Sequence, residues 1–317
     1  LIHSYDDPVH APLGLRAARV YAEIAPAASH AQHMISHIYV ALGDWPNSVD
    51  SNIKSFEVSR ERYERKGLGI DALNFHSFHW LEYSYLQLGQ FTKARPMVDR
   101  MHEYAQESGS PRARGYYAGM RASWVVETGG TDVPESLGTE TMGKTSAAAD
   151  LYASGFGSLT TGDRAAATKA LGEMDQLLES LTPDPEDKVA VETRQSVQVM
   201  TDSLRAQIAW EEGRKEESMA LLENATAIEG SLALEYGPPT IVKPSNVLFG
   251  EVLLAAGRPE AAVEQFELAL LRAPKSRLSL QGLAQASSAS GDTATAERAC
   301  ANLIEILGDA APNYCAD

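Results

Sequence analysis

The eight histidines of this 317-residue chain stand at positions 3, 10, 30, 33, 37, 76, 79 and 102, so seven of them fall in its first quarter. Neutral imidazole offers a lone pair to Zn, Cu, Ni or Fe as divalent ions, and it can move a proton near neutral pH. His30, His33 and His37 follow one another at i,i+3 and i,i+4, a spacing that lays all three on one face of an α-helix. His76 and His79 repeat the i,i+3 step. At a rise of ~1.5 Å per residue His30 and His37 are about 10 Å apart, so one ion does not reach all three and a ligand set must draw on more than one helix. The plainer alternative is a set of histidines bonded to backbone or to one another, packing as aromatics along a surface that holds a peptide. His10, between Pro8 and Pro12, suits a helix cap, and His102 stands apart from the cluster.

Charge and composition narrow the partners. With 27 Lys+Arg against 43 Asp+Glu the net charge is −16, which disfavours free DNA or RNA, since binding them requires a basic surface that releases counterions. Hydrophobic residues make up 44%, enough for a packed core. An uncharged apolar run of about 18 residues is needed to span a membrane, and the nearest approach, 247–257, contains Glu251. Only two cysteines occur, Cys300 and Cys315. They rule out a Cys-rich metal or disulfide framework and leave open a single C-terminal bond, formed if the compartment is oxidising. No basic region and apolar run mark a signal peptide at the start.

Several familiar reaction motifs are missing: no GxSxG elbow, HExxH, CxxCH or EF-hand loop occurs. Gly138 to Thr145 matches the phosphate-loop expression GxxxxGK[ST] letter for letter. The motif works only between a buried strand and a helix. Here "GGTDVPES" precedes it, and Glu140 would face the phosphates. No nucleotide is expected, and 130–144 reads as a long loop with Thr145 near a helix start.

The elements that must position the histidines are helical. Strand signals are nearly absent, whereas apolar residues recur at helical spacing, as in Ala262-Val263-Phe266-Leu270. Internal similarity is the stronger signal: 252–274 and 283–306 each give a helix, a Gly, a polar turn and a second helix, with Gly257 and Gly291 34 residues apart. Gly257, Ala262, Phe266, Ala269 and Pro274 resemble the tetratricopeptide repeat pattern. So do Gly43-Asp44-Trp45, Leu88-Gly89-Gln90-Phe91 with Ala94, Gly162-Asp163 with Ala167, and Gly213-Arg214 with Ala225. The fold expected is all-α: a single right-handed α-solenoid over 1–317 of about seven and a half helical pairs. It divides into His-rich repeats (1–109), irregular middle repeats (110–230) and regular C-terminal repeats (231–317). Extra length is expected around 57–72, 130–145, 181–192 and 227–243. Working back from Pro26 puts Leu1 inside a helix cut near its middle, so the chain reads as a piece of something longer.

The resemblance also supplies a register. Concave-face positions of the first helix in each repeat then fall on His30, His33 and His37, on His76, His79 and Tyr83, and on His3, Asp6 and Asp7. Further along they fall on Tyr116, Ser123, Tyr152, Phe156, Gln281 and Gln285. Two ligand sets combine neighbouring helices: His30, His33, His76 and His79, or His3 and His37 with Asp6 or Asp7. A site with fewer than four protein ligands keeps a water that the metal acidifies. The segment 1–45 resembles a group of exported bacterial tetratricopeptide proteins with similar His-rich stretches, which implies a periplasmic or extracellular location. The expected function is a scaffold whose groove takes a protein or peptide, or another copy of the chain, around a divalent metal. The alternative is a metal-dependent hydrolase using the same histidines, with Tyr83 or a spare His moving protons.

Overall fold

The computed structural model describes residues 2–234, 237–308, 311 and 315. They form fourteen α-helices and two short 3-10 turns, with no strand among them. The helices are α1 (Ala11–Ile24), α2 (Ser29–Ala41), α3 (Trp45–Lys66), α4 (Phe75–Gln87), α5 (Phe91–Ser108), α6 (Pro111–Glu127), α7 (Lys144–Thr160), α8 (Arg164–Glu179), α9 (Lys188–Glu211), α10 (Lys215–Ser231), α11 (Ser245–Ala255), α12 (Pro259–Arg272), α13 (Arg277–Ser290) and α14 (Thr293–Leu307). Each packs against the next.

A short local code makes the hairpins. In Gly43-Asp44, Gly162-Asp163 and Gly291-Asp292 the glycine sits at φ 68°, 81° and 80°. The aspartate side chain then accepts the N–H of Asn47, Ala166 or Thr295 and starts the second helix. Such a cap contributes about 1 kcal/mol. Close packing follows from small residues: a Cβ on Gly282 would lie 2.1 Å from the ring of the fully buried Phe266.

The extra length falls where the sequence indicates. α3 runs on to Lys66, α9 extends over 24 residues, and irregular segments occupy 128–143, 232–234 and 237–244. The pairing differs from expectation at one place. α6 is followed by the connection 128–143 in place of a second helix, so the described residues make six hairpins plus α1 and α6. Gly129, Gly130 and Gly138 at φ 74°, 76° and 77° stop a helix there, and Arg121 Nε donates to Pro134 O at 2.6 Å to hold the connection down.

The N-terminal segment also departs from expectation. Leu1 lies outside the described residues, and Ile2–Ser4 form a 3-10 turn where a continuing helix was expected. Pro8 disfavours helical backbone at Asp7, whose carboxylate instead accepts the N–H groups of Val9 and His10. His10 is the N-cap residue of α1, without a side-chain cap bond.

The last hairpins fold back onto the first. Trp45 Nε1 donates to Lys275 O at 2.9 Å, and Arg277 N donates to Gln87 Oε1 at 2.8 Å. Arg277 Nη2 donates to Glu127 Oε2 at 2.6 Å. Val40, Trp45, Trp80 and Tyr83 share one core with Val247, Leu253, Leu280 and Leu283. Tyr83, Ser123, Tyr152 and Gln281, expected on an open groove, are buried. Phe156 is half-buried and Gln285 is exposed. Cys300 and Cys315 are joined by a disulfide that fastens the chain's end to α14.

Candidate metal centre

Helix α2 carries His30, His33 and His37, and α4 carries His76, His79 and Trp80. His33 is 1% exposed, His37 is buried, His76 is half-buried and His30 is exposed. The rings of His33, His37 and His76 converge: His33 lies 4.8 Å from His37 and 4.5 Å from His76, ring centre to ring centre, with Trp80 4.4 Å from His37.

Hydrogen bonding fixes the tautomers. Asn52 on α3 donates Nδ2 to Ser48 O at 2.9 Å, which leaves its Oδ1 as an acceptor for His33 Nδ1–H at 2.7 Å. His37 Nδ1 faces Asp6 Oδ2 at 3.0 Å, so it is the donor there. Both Nδ1 atoms carry protons, and both neutral rings therefore present bare lone pairs at Nε2. Those two Nε2 atoms stand 3.0 Å apart. Two acceptors at hydrogen-bond distance repel. Turning His37 to its other tautomer moves the conflict to Asp6, where a lone pair would meet a carboxylate. A cation placed between the two Nε2 atoms removes the conflict at both ends.

Electrostatics favour the neutral rings. Burial, with neighbouring imidazoles His76 and His37, pushes His33 well below the ordinary histidine value. Burial lowers His37 to about 4 against the opposing pull of Asp6, and lowers His76 to about 4 with help from His30 and Arg112. Unprotonated imidazole is the form that binds metal.

Two groups of ligand atoms lie within 4.8 Å of one another: His33, His37 and His76, and His3, Asp6 and His37. On a tetrahedral ion with 2.0–2.1 Å bonds, ligand nitrogens stand about 3.3 Å apart, within reach of small side-chain rotations. In the second group Asp6 Oδ2 accepts from His3 Nδ1 at 2.8 Å as well as from His37. That carboxylate is satisfied by two N–H donors and serves as a support for the first group.

The sequence-derived four-nitrogen set is not assembled. His30 sits exposed at the start of α2. His79 turns from α2 toward α6, where its Cε1 lies 2.9 Å from the position of a Cβ on Gly119. Asp7 pairs with His10 Nδ1 at 2.8 Å and stays away from the cluster. The set of His3, His37 and Asp6 is brought together as the spacing suggests. His102 packs on Tyr117, ring centres 5.0 Å apart, away from the site. Asn52 and Trp80 were not anticipated. Trp80, four residues after His76, was open to the same helical reasoning, whereas Asn52 is 19 residues from His33 and leaves no local trace.

The centre opens on a cavity of about 670 Å³ lined by His37, His76, His79, Trp80, Arg112 and Tyr116. The start of α7, including Thr145 and Ser146, also lines it, as do Pro238, Pro239 and Val242 from the segment 237–244. The phosphate-loop match thus falls on an irregular connection leading into α7, with no strand before it. Gly237, at φ 120°, lies flat on the indole of Trp80, where a Cβ would come within 2.3 Å of Cζ2. No described helix is long and apolar enough to cross a membrane. No family model and no curated protein sequence matches this chain.

Proposed function

We propose that the chain is a tetratricopeptide-like α-solenoid that binds one divalent transition metal through His33, His37 and His76. The observation carrying this reading is the 3.0 Å contact between two Nε2 lone pairs whose rings are already committed at Nδ1. Asp6 and Asn52 do for the ligands what outer-shell acceptors do at known metal sites: they fix ring orientation and raise basicity. Three nitrogen ligands suit Zn first, and Cu, Ni or Fe(II) by the same softness. The disulfide supports the reading of an exported bacterial protein working in an oxidising compartment.

A second reading is favoured by the cavity. Three protein ligands leave at least one coordination position, which suits a metal-bound water acting as a hydrolytic nucleophile. The scaffold reading has less support near the histidines, because Trp80 and Tyr83 are covered by the chain's own later segments. A protein or peptide partner, or a second copy, would therefore dock elsewhere.

Elemental analysis of untagged protein purified without nickel resin tests the centre. About one equivalent of metal, removed by EDTA and absent from His76→Ala, is the expected result. Less than a tenth of an equivalent, with no uptake on adding Zn, Cu, Ni or Fe(II), refutes the metal reading and leaves a structural histidine cluster.

A further inference from the structure

We infer that the cavity beside the histidines binds an oxyanion, a carboxylate or phosphate group of a small molecule, held by Arg112 and the first turn of α7 with its remainder toward the metal. The inference rests on the metal reading for that last part only.

The first support is charge. The chain carries a net −16, yet among the described residues that line this cavity there is no Asp or Glu. The cation on its wall is Arg112. Its guanidinium donates to the main-chain carbonyls of Asp71 at 3.0 Å and Leu73 at 3.4 Å, lies over the rings of Phe75 and Tyr116 at 4.9 and 5.3 Å, and pairs with no carboxylate among the described residues. Carbonyls and rings hold the planar fork in place without neutralising it. The N–H groups left over remain able to donate to an oxyanion.

The second support is the start of α7, where Ser146 Oγ lies 3.2 Å from the position of a Cβ on Gly115, one turn after Arg112. α7 begins with Gly143 as its N-cap and has no side-chain cap, so the positive end of the helix faces the cavity together with Thr145 and Ser146. His79 lines the cavity too, but its ring turns against Gly119 and its Nε2 is sealed from solvent. Trp80 and Tyr116 add aromatic walls for the rest of the molecule. A metal with open positions at the same wall would add a second point of attachment for oxygen.

Calorimetric titration of the full chain, zinc-loaded and metal-free, with sodium acetate, inorganic phosphate and methylammonium chloride tests this. Acetate or phosphate is expected to bind one to one, the tighter of the two naming the group, with methylammonium silent. Arg112→Ala should weaken binding by about tenfold or more, and Arg60→Ala, at an exposed i,i+4 pair on α3, should leave it unchanged. Circular dichroism checks that both variants fold; Arg112 is exposed at the start of α6, so its loss leaves the core intact. Saturation by neither anion, or equal affinity in wild type and Arg112→Ala, overturns the proposal. If no zinc loads, the metal reading fails, and the metal-free titration still decides the anion site.

Discussion

Two buried polar clusters in the chain are built on opposite principles. Arg121 and Asp150, 2% and 1% exposed, join α6 to α7. Arg121 Nη1 donates to Asp150 Oδ1 at 2.8 Å, Nη2 to Ser154 Oγ at 2.9 Å and Nε to Pro134 O, while Asp150 Oδ2 accepts from Ser136 Oγ. Donors and acceptors match. The histidine cluster of α2 and α4 does not close in this way: after Asn52 and Asp6 take the Nδ1 protons, two Nε2 lone pairs face each other. A buried polar group left unmatched costs about 1–3 kcal/mol, so a set of them beside a cavity reads as a site waiting for a ligand, whereas the matched pair reads as a fastener.

The sharpest way to break this contrast is substitution on each side. His76→Ala should abolish stoichiometric metal binding while the fold persists, as followed by elemental analysis and far-ultraviolet dichroism. Arg121→Met should do the reverse: removing one partner of a buried pair costs about 3–5 kcal/mol, seen in urea unfolding, with metal content per folded chain unchanged. If Arg121→Met lost metal and His76→Ala lost only stability, the assignment of roles would be wrong.

A finer test concerns the supports. Asp6→Ala should weaken metal affinity by about 10–100-fold without abolishing it, and Asn52→Ala should fall toward the lower end of that range; competition against a chromophoric chelator measures both. A value for Asp6→Ala equal to wild type would show that the carboxylate orients nothing.

Acid tests the same contrast without a substitution. His37 and His76 sit at about 4, below the ordinary value near 6.5. Protons therefore compete with the metal only as pH approaches that lower value, and zinc should stay bound at about pH 5.5, where exposed histidines near 6.5 would release it. In the metal-free chain the unfolded state takes up protons below about pH 6.5 while the folded rings do not. Its stability should fall as pH drops from 6.5 toward 4, measured by chemical unfolding at fixed pH steps.

Sequence periodicity was enough to read the all-helical fold and the turn positions, because Gly-Asp turns and Ala-Phe-Ala spacing act within a few residues. The absence of a second helix after α6 was less legible, since Arg121 and three left-handed glycines act together there. In the site, helical spacing brought His33 and His37 to one face, but not the division between His76 and His79. One turn of α4 sends the first toward α2 and the second toward Gly119 of α6. Register alone treats both as facing one groove. The folding of the last hairpins back across the first, through contacts 190 and 230 residues apart in sequence, leaves no local signal at all.

Gly237 ties these regions together. Because it alone among residue types carries no Cβ, its backbone can rest directly on the indole of Trp80, and Trp80 in turn stacks on His37. Any side chain at 237 would act as a wedge: it would prise this segment from the indole or push the indole toward His37. The seat of Trp80 beside His37 thus depends on a hydrogen atom more than 150 residues from the nearest histidine ligand, and a Gly237→Ala chain should show it as a changed tryptophan emission.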